Sequence, residues 1–93
     1  MKISELRAGM NKVSVQGVLE SVGEKRVVNL RDGGTNTVTT ALLADQSGNI
    51  NLDIWGEHDY KVGEQVAVQN GYVKSFKGDI SLAAGKFGTL GRI

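Results

Sequence analysis

The segment from Asp45 to Gly56, Asp-Gln-Ser-Gly-Asn-Ile-Asn-Leu-Asp-Ile-Trp-Gly, restricts the fold of this chain more than any other. Asp45 is suited to hydrogen-bond the backbone two residues on, and Gly48 takes a positive φ at little cost, so the segment opens as a turn. Strict alternation follows. Ile50, Leu52 and Ile54 share one face of a strand, and Asn51, Asp53 and Trp55 share the other, because side chains flip at every residue. The only tryptophan of the chain is therefore in phase with polar residues. A large aromatic ring on the wet face of a half-buried strand points to binding. The alternative is that Trp55 closes the end of a small core, and this segment alone does not choose between the two.

A chain of 93 residues makes one domain, residues 1–93, and a domain of this size buries roughly 60–65% of its unfolded surface. With no cysteine, neither disulfides nor thiolate metal sites supplement that core. Thirteen glycines among β-branched residues and no proline place the chain in the all-β class with tight turns. No apolar run is long enough to span a bilayer, and the amino terminus lacks an apolar leader, so the expected location is cytoplasmic, unless a targeting signal has been lost, with no membrane partner. His58 lies among charged residues and reads as a solvated imidazole. The net charge of +1 hides an uneven distribution. Residues 1–44 carry net +2, residues 45–64 net −4, and residues 65–93 net +3. Basic ends that share one face would suit a polyanion.

Ser4 and Gly9 bracket a helical turn that would cover one end of a barrel. Val13, Val15, Gly17 and Leu19 alternate with Ser14, Gln16, Val18 and Glu20 in a long first strand, and Gly17 inside it marks a bend. The chain stays extended from Gly23 to Leu30, past Lys25 and Arg26. Arg31-Asp32-Gly33-Gly34-Thr35-Asn36 is a loop. Its glycine pair lacks the Lys-Ser/Thr ending and the following helix of a phosphate-binding loop. Thr37 to Ala44 is the second strand, with either Val38/Leu42 or Ala41/Leu43 facing inward, and the Asp45–Gly48 turn joins it to the Trp55 strand as a hairpin. Glu57 to Lys61 allows a short helical turn between strands 3 and 4.

In the fourth strand Val66 and Val68 share the buried face. Simple alternation would carry Lys74 onto that face, and an unpaired buried ammonium costs several kcal/mol. A bulge at Asn70-Gly71 shifts the register by one, sends Val73 inward and turns Tyr72, Lys74 and Phe76 outward. Lys77-Gly78-Asp79 makes the next turn and Ile80 to Ala84 the fifth strand. Lys86 to Leu90 closes the sheet, and Gly91-Arg92-Ile93 is a frayed end.

One histidine and no cysteine leave little for a nucleophile and its base, so the chain reads as non-enzymatic. Asp45, Asp53, Glu57 and Asp59 lack the spacing of a calcium loop and read as a solvated acidic edge, so no metal and no cofactor are expected. What remains is an outward aromatic set with basic neighbours: Trp55, then Tyr72 and Phe76 around Lys74, with Lys77 in the adjoining turn. Aromatic platforms hold single-stranded nucleic acid without reading its sequence, at about 1–3 kcal/mol per stacked base. Lysines beside them meet phosphates. The same rings could instead pack on a protein partner.

Five strands, a glycine-coiled first strand, a hairpin between strands 2 and 3 and a short turn before strand 4 match the five-stranded Greek-key OB barrel. The chain resembles the archaeal single-stranded-DNA-binding proteins and the replication protein A-type OB domains. The resemblance runs from about Ile3 to Gly88. It rests on Lys2-Ile3-Ser4-Glu5-Leu6 with Gly9-Met10, Ala44-Asp45-Gln46-Ser47-Gly48, Ile54-Trp55-Gly56, Val62-Gly63-Glu64-Gln65-Val66 and Asn70-Gly71-Tyr72-Val73-Lys74-Ser75-Phe76-Lys77-Gly78.

By that resemblance Trp55, Tyr72 and Phe76 stack bases, with Lys77 beside the last of them. Lys74 joins Lys77 at phosphates, and Arg26, Arg31 and Lys86 are additions from the barrel rim. The implied partner is single-stranded DNA in replication, recombination or repair, with single-stranded RNA and other replication or repair proteins as alternatives; a nucleoid-associated location follows. Gln46 stands where the family usually has an acidic residue. The polar tail of single-OB members is missing, which fits one domain of a longer protein.

Overall fold

The computed structural model describes residues 2–56, 58–84 and 88–93; within them the side chain of Phe76 is not described. A 3-10 turn (Ile3–Glu5) precedes six strands: β1 (Val13–Asn29), β2 (Thr35–Asp45), β3 (Gly48–Trp55), β4 (Gln65–Phe76), β5 (Asp79–Ala83) and β6 (Thr89–Arg92). Five of them form a ring in the order β1-β2-β3-β5-β4, closed by a β1–β4 pairing. All neighbours run antiparallel except β3 and β5. The expected five-stranded barrel is therefore present. β6 lies outside the ring, along the first half of β4.

Closing so small a ring requires β1 to serve two neighbours, and the sequence supplies the means. Val13 to Val18 pairs with β4, and Val18 to Asn29 pairs with β2. Gly17 stands at the change of partner. A Cβ there would lie 2.3 Å from the carbonyl oxygen of Ala44, so any side chain would push β1 away from β2. Two further register shifts, between Leu19 and Ser21 and between Val22 and Lys25, let the long strand coil around the barrel.

The bulge expected in β4 is found. Val13 pairs with Gly71 and Val15 with Val68, so β4 spends one residue more than β1 over this span. Asn70 takes up the extra residue at φ 55°. Val66, Val68 and Val73 are buried as a result, while Tyr72 and Lys74 are part-exposed. The fully buried interior is built from Leu6, Leu19, Leu43, Leu52, Leu82, Val13, Val66 and Val68, which come from the amino-terminal segment and from five strands.

The open choice for β2 resolves in favour of Ala41 and Leu43, which belong to the core cluster with Ile50, Leu52 and Ile54. Val38 is nevertheless buried, at 4% exposure. It lies on the opposite face, so β2 is apolar on both sides near its start.

Several local expectations need correction. The short helical turn expected between strands 3 and 4 is absent among the described residues, where 58–64 run as a loop with a turn at Val62-Gly63. That loop is fixed by side chains. Arg92 donates to Glu64 Oε2 at 3.0 Å and to Asp59 Oδ1 at 2.5 Å, and its guanidinium lies 4.6 Å from the Tyr60 ring centroid. The Tyr60 hydroxyl donates to the Leu90 carbonyl at 3.1 Å. These contacts also explain why Gly91 and Arg92, read from sequence as frayed, form the end of a strand.

His58 is half-buried, not solvated. Its Nδ1 accepts from the Tyr60 amide at 3.2 Å, which leaves the Nε2–H to donate to Thr39 Oγ1 at 2.9 Å. The hydroxyl of Thr39, a residue only 1% exposed, is thereby satisfied. Ser4 does not cap the first turn. The Ile3 amide donates instead to Asp45 Oδ2 and the Ser4 amide to Ser47 Oγ, both at 3.0 Å. Gly48 is not among the positive-φ glycines; the turn is held by Asp45 Oδ1, which accepts from the Ser47 and Gly48 amides and the Ser47 hydroxyl.

Candidate nucleic-acid interface

The strand register assembles one outer face from residues distant in sequence. Trp55 pairs with Val38, and Val38 pairs with Arg26, so these three stand abreast on β3, β2 and β1. In the next row Thr40 pairs with Asp53, Asp53 with Ala83, and Ala83 with Tyr72. Beyond it Leu42 pairs with Asn51, Asn51 with Ser81, and Ser81 with Lys74. Paired residues point to the same side of a sheet, so Trp55, Tyr72, Lys74 and Arg26 occupy one surface. Parallel contact between β3 and β5 makes this possible, by placing β4 two strands from β3.

Trp55 is 42% exposed and Tyr72 is part-exposed. On the same face Ala83 lies between them on β5 and Val38 flanks Trp55 on the other side, on β2; both are buried and outside the core cluster. They form an apolar floor from which the rings rise. The backbone of Phe76 pairs with Asp79 at the end of β4, and its ring falls outside the described side chains. Lys77 and Gly78, at φ 52° and 87°, make the two-residue turn into β5. Such left-handed pairs match the twist of the flanking strands.

The charged groups are less simple than the sequence suggested. Lys74 Nζ lies 3.1 Å from Asp53 Oδ2, and the two side chains are 42% and 12% exposed. Thr40 Oγ1 lies 3.5 Å from Asp53 Oδ1 and accepts from Arg26 at 3.1 Å. A polar chain therefore crosses β1, β2, β3 and β4 through the middle of the face. Sequence reasoning placed Asp53 outward but missed this role, because only the strand order brings β3 and β4 close enough for contact.

Arg31 is exposed at the tip of the β1–β2 hairpin, which is closed by the Leu30 amide on the Gly34 carbonyl at 2.8 Å. It lies five residues beyond Arg26, roughly 16 Å along an extended strand. Lys86 falls outside the described residues. The acidic residues read together from sequence do not meet: Asp45 holds its own turn, Asp53 faces Lys74 and Asp59 faces Arg92; Glu57 is outside the described residues. Among the described residues no group of three or more potential metal ligands is found, and no helix is long and apolar enough to cross a membrane.

Solved structures share this architecture over the whole chain. The OB domain of a Thermoplasma acidophilum protein superposes with a TM-score of 0.86 at 24% identity, over 100% of this chain and 85% of that one. The second OB-fold domain of replication protein A from Methanococcus maripaludis gives 0.83 at 24% identity, over 100% and 93%. The barrel is an OB fold. In sequence, the OB domain is 30% identical over 86 residues to the single-stranded DNA binding protein Ssb of Saccharolobus solfataricus, covering 90% of this chain and 57% of the relative. It is also 30% identical over 92 residues to replication factor A of Methanothermobacter thermautotrophicus, covering 92% of this chain and 12% of the relative. The chain thus spans little more than half of the first relative and a small part of the second. No protein-family model matches. The resemblance drawn from the motifs is to these same proteins.

Proposed function

We propose that this OB domain binds single-stranded DNA, without catalysis and with little sequence preference, in DNA replication, recombination or repair. The observation that carries the reading is the common face of Trp55 and Tyr72, two rings from separate strands raised on an apolar floor. Unpaired bases stack on Trp55 and Tyr72, with Phe76 as a third platform at the end of β4. Lys77, Arg26, Arg31 and Lys86 are the groups for phosphates around them. The names of the Saccharolobus and Methanothermobacter relatives support single-stranded DNA and replication.

Trp55 is the only tryptophan, so its fluorescence reports on the face directly. Titration with oligo-dT should quench the emission and shift its maximum. Two or three phosphate contacts predict a log–log salt slope of about −1.5 to −2 on a single strand. Saturating oligo-dT with no spectral change and no retarded band would refute the reading. Retention of a protein partner that depends on Trp55 but not on DNA would favour the protein-docking alternative.

A further inference from the structure

Asp53 is out of place on a face proposed to meet a polyanion. It lies between the two rings: Trp55 is two residues along the same strand, about 7 Å, and Tyr72 is two strands across, about 10 Å. Its side chain is only 12% exposed, and Oδ2 holds Lys74 Nζ at 3.1 Å. Were Lys74 to leave for a phosphate, a nearly buried carboxylate would lose its counter-ion, which is costly. Were Lys74 to stay, a phosphate over it would approach the same carboxylate. Either way the middle of the face disfavours phosphate, while the basic groups Arg31 and Lys77 lie in turns at its margins.

We infer that Asp53 is a specificity-determining residue: by neutralising Lys74 between the rings, it turns bases toward the sheet and keeps the phosphates at the rim. The inference rests on the reading of this face as a single-strand site. It sets the ligand class more narrowly than charge would. Unpaired bases are accepted, whereas polyanions without accessible bases gain nothing from the centre of the face. Thr40 and Arg26 are positioning residues here, since the Arg26 guanidinium reaches the carboxylate only through the Thr40 hydroxyl.

The test compares the parent with Asp53→Asn and Asp53→Thr, the second chosen because a β-branched residue suits a strand. The probes are a dT oligomer of about 12 nucleotides, within the span of one OB fold, and inorganic polyphosphate. Freeing Lys74 for one more phosphate should steepen the oligo-dT salt slope by about 0.7 and tighten polyphosphate binding by about threefold or more at low salt. Both gains should vanish in the double variant Asp53→Asn/Lys74→Met. An unchanged slope in both single variants, or a gain that survives loss of Lys74, would overturn the inference while leaving the single-strand site standing. A parent that fails to bind oligo-dT would overturn the site itself.

Discussion

Single residues set the limits of this barrel, and Gly17 shows how. A Cβ at that position would meet the backbone of Ala44 at 2.3 Å and the Leu43 side chain at 3.3 Å. Backbone cannot rotate aside as a side chain can, so the strands must part. Gly17→Ala should therefore destabilise the domain by roughly 1–3 kcal/mol, the usual cost of forced overpacking, read as a lower denaturation midpoint in urea. Gly71 makes the same kind of contact at the bulge, where a Cβ would lie 2.7 Å from Val68 Cγ1 and 2.9 Å from the Ala83 carbonyl oxygen. Both positions were visible in the sequence for a physical reason. Glycine inside a strand of alternating apolar residues is unfavourable unless something approaches closely, and at Gly71 the position of Lys74 independently demanded a shift. Asp53 was not legible in this way. Its phase was clear, but its partner lies on a strand 21 residues away that reaches it only through β5.

At the scale of elements, the β2–β3 turn does more than reverse the chain. Asp45 Oδ1 accepts from the Ser47 hydroxyl at 2.6 Å, while Oδ2 accepts from the Ile3 amide at 3.0 Å. The turn thus anchors the amino-terminal 3-10 turn, whose Ile3 is buried in the core together with Leu6 just after it. The Ser47 hydroxyl, then the Ile3 amide, hold the Asp45 carboxyl down at about 2, from an ordinary value of 3.8. Between those values the unfolded chain binds a proton that the folded chain refuses, so stability falls as pH falls. The contribution is complete above about pH 4 and disappears as pH drops through about 2. Thermal melts from pH 5 to pH 2 should show a steeper loss in the parent than in Asp45→Asn, and equal slopes would refute this anchoring role. Arg92 holds Asp59 down in the same direction and secures β6. The second half of that strand, Gly91-Arg92, was not legible because Thr-Leu-Gly-Arg carries no alternating pattern; it is fixed by a cation meeting a ring and two carboxylates across the loop. The start of β2 was ambiguous for the opposite reason. Val38 and Ala41 are both buried, on opposite faces, because the outer face also has an apolar floor.

The molecule as a whole separates what holds it together from what it offers to a ligand. The core is a closed cluster of leucine, isoleucine and valine, with Ala41, inside the ring. Trp55 and Tyr72 stand outside that cluster on the far side of the same strands. Alternation makes the separation possible, since Leu52 and Ile54 face in while Asp53 and Trp55 face out along one strand. Stability and binding should accordingly respond to different substitutions. Trp55→Ala or Tyr72→Ala should lower affinity for oligo-dT by about 1–3 kcal/mol, the range for one stacked base, with a far smaller change in the urea midpoint. Leu52→Ala, one residue from Asp53 and three from Trp55 but fully buried, should cost roughly 2–5 kcal/mol of stability and leave the affinity of the still-folded fraction near that of the parent. Chemical denaturation and tryptophan or anisotropy titrations on the same preparations decide the matter. If Trp55→Ala unfolds the domain as Leu52→Ala does, the ring is part of the fold and the face loses its main platform. If it leaves both stability and affinity intact, base stacking must lie elsewhere on the barrel.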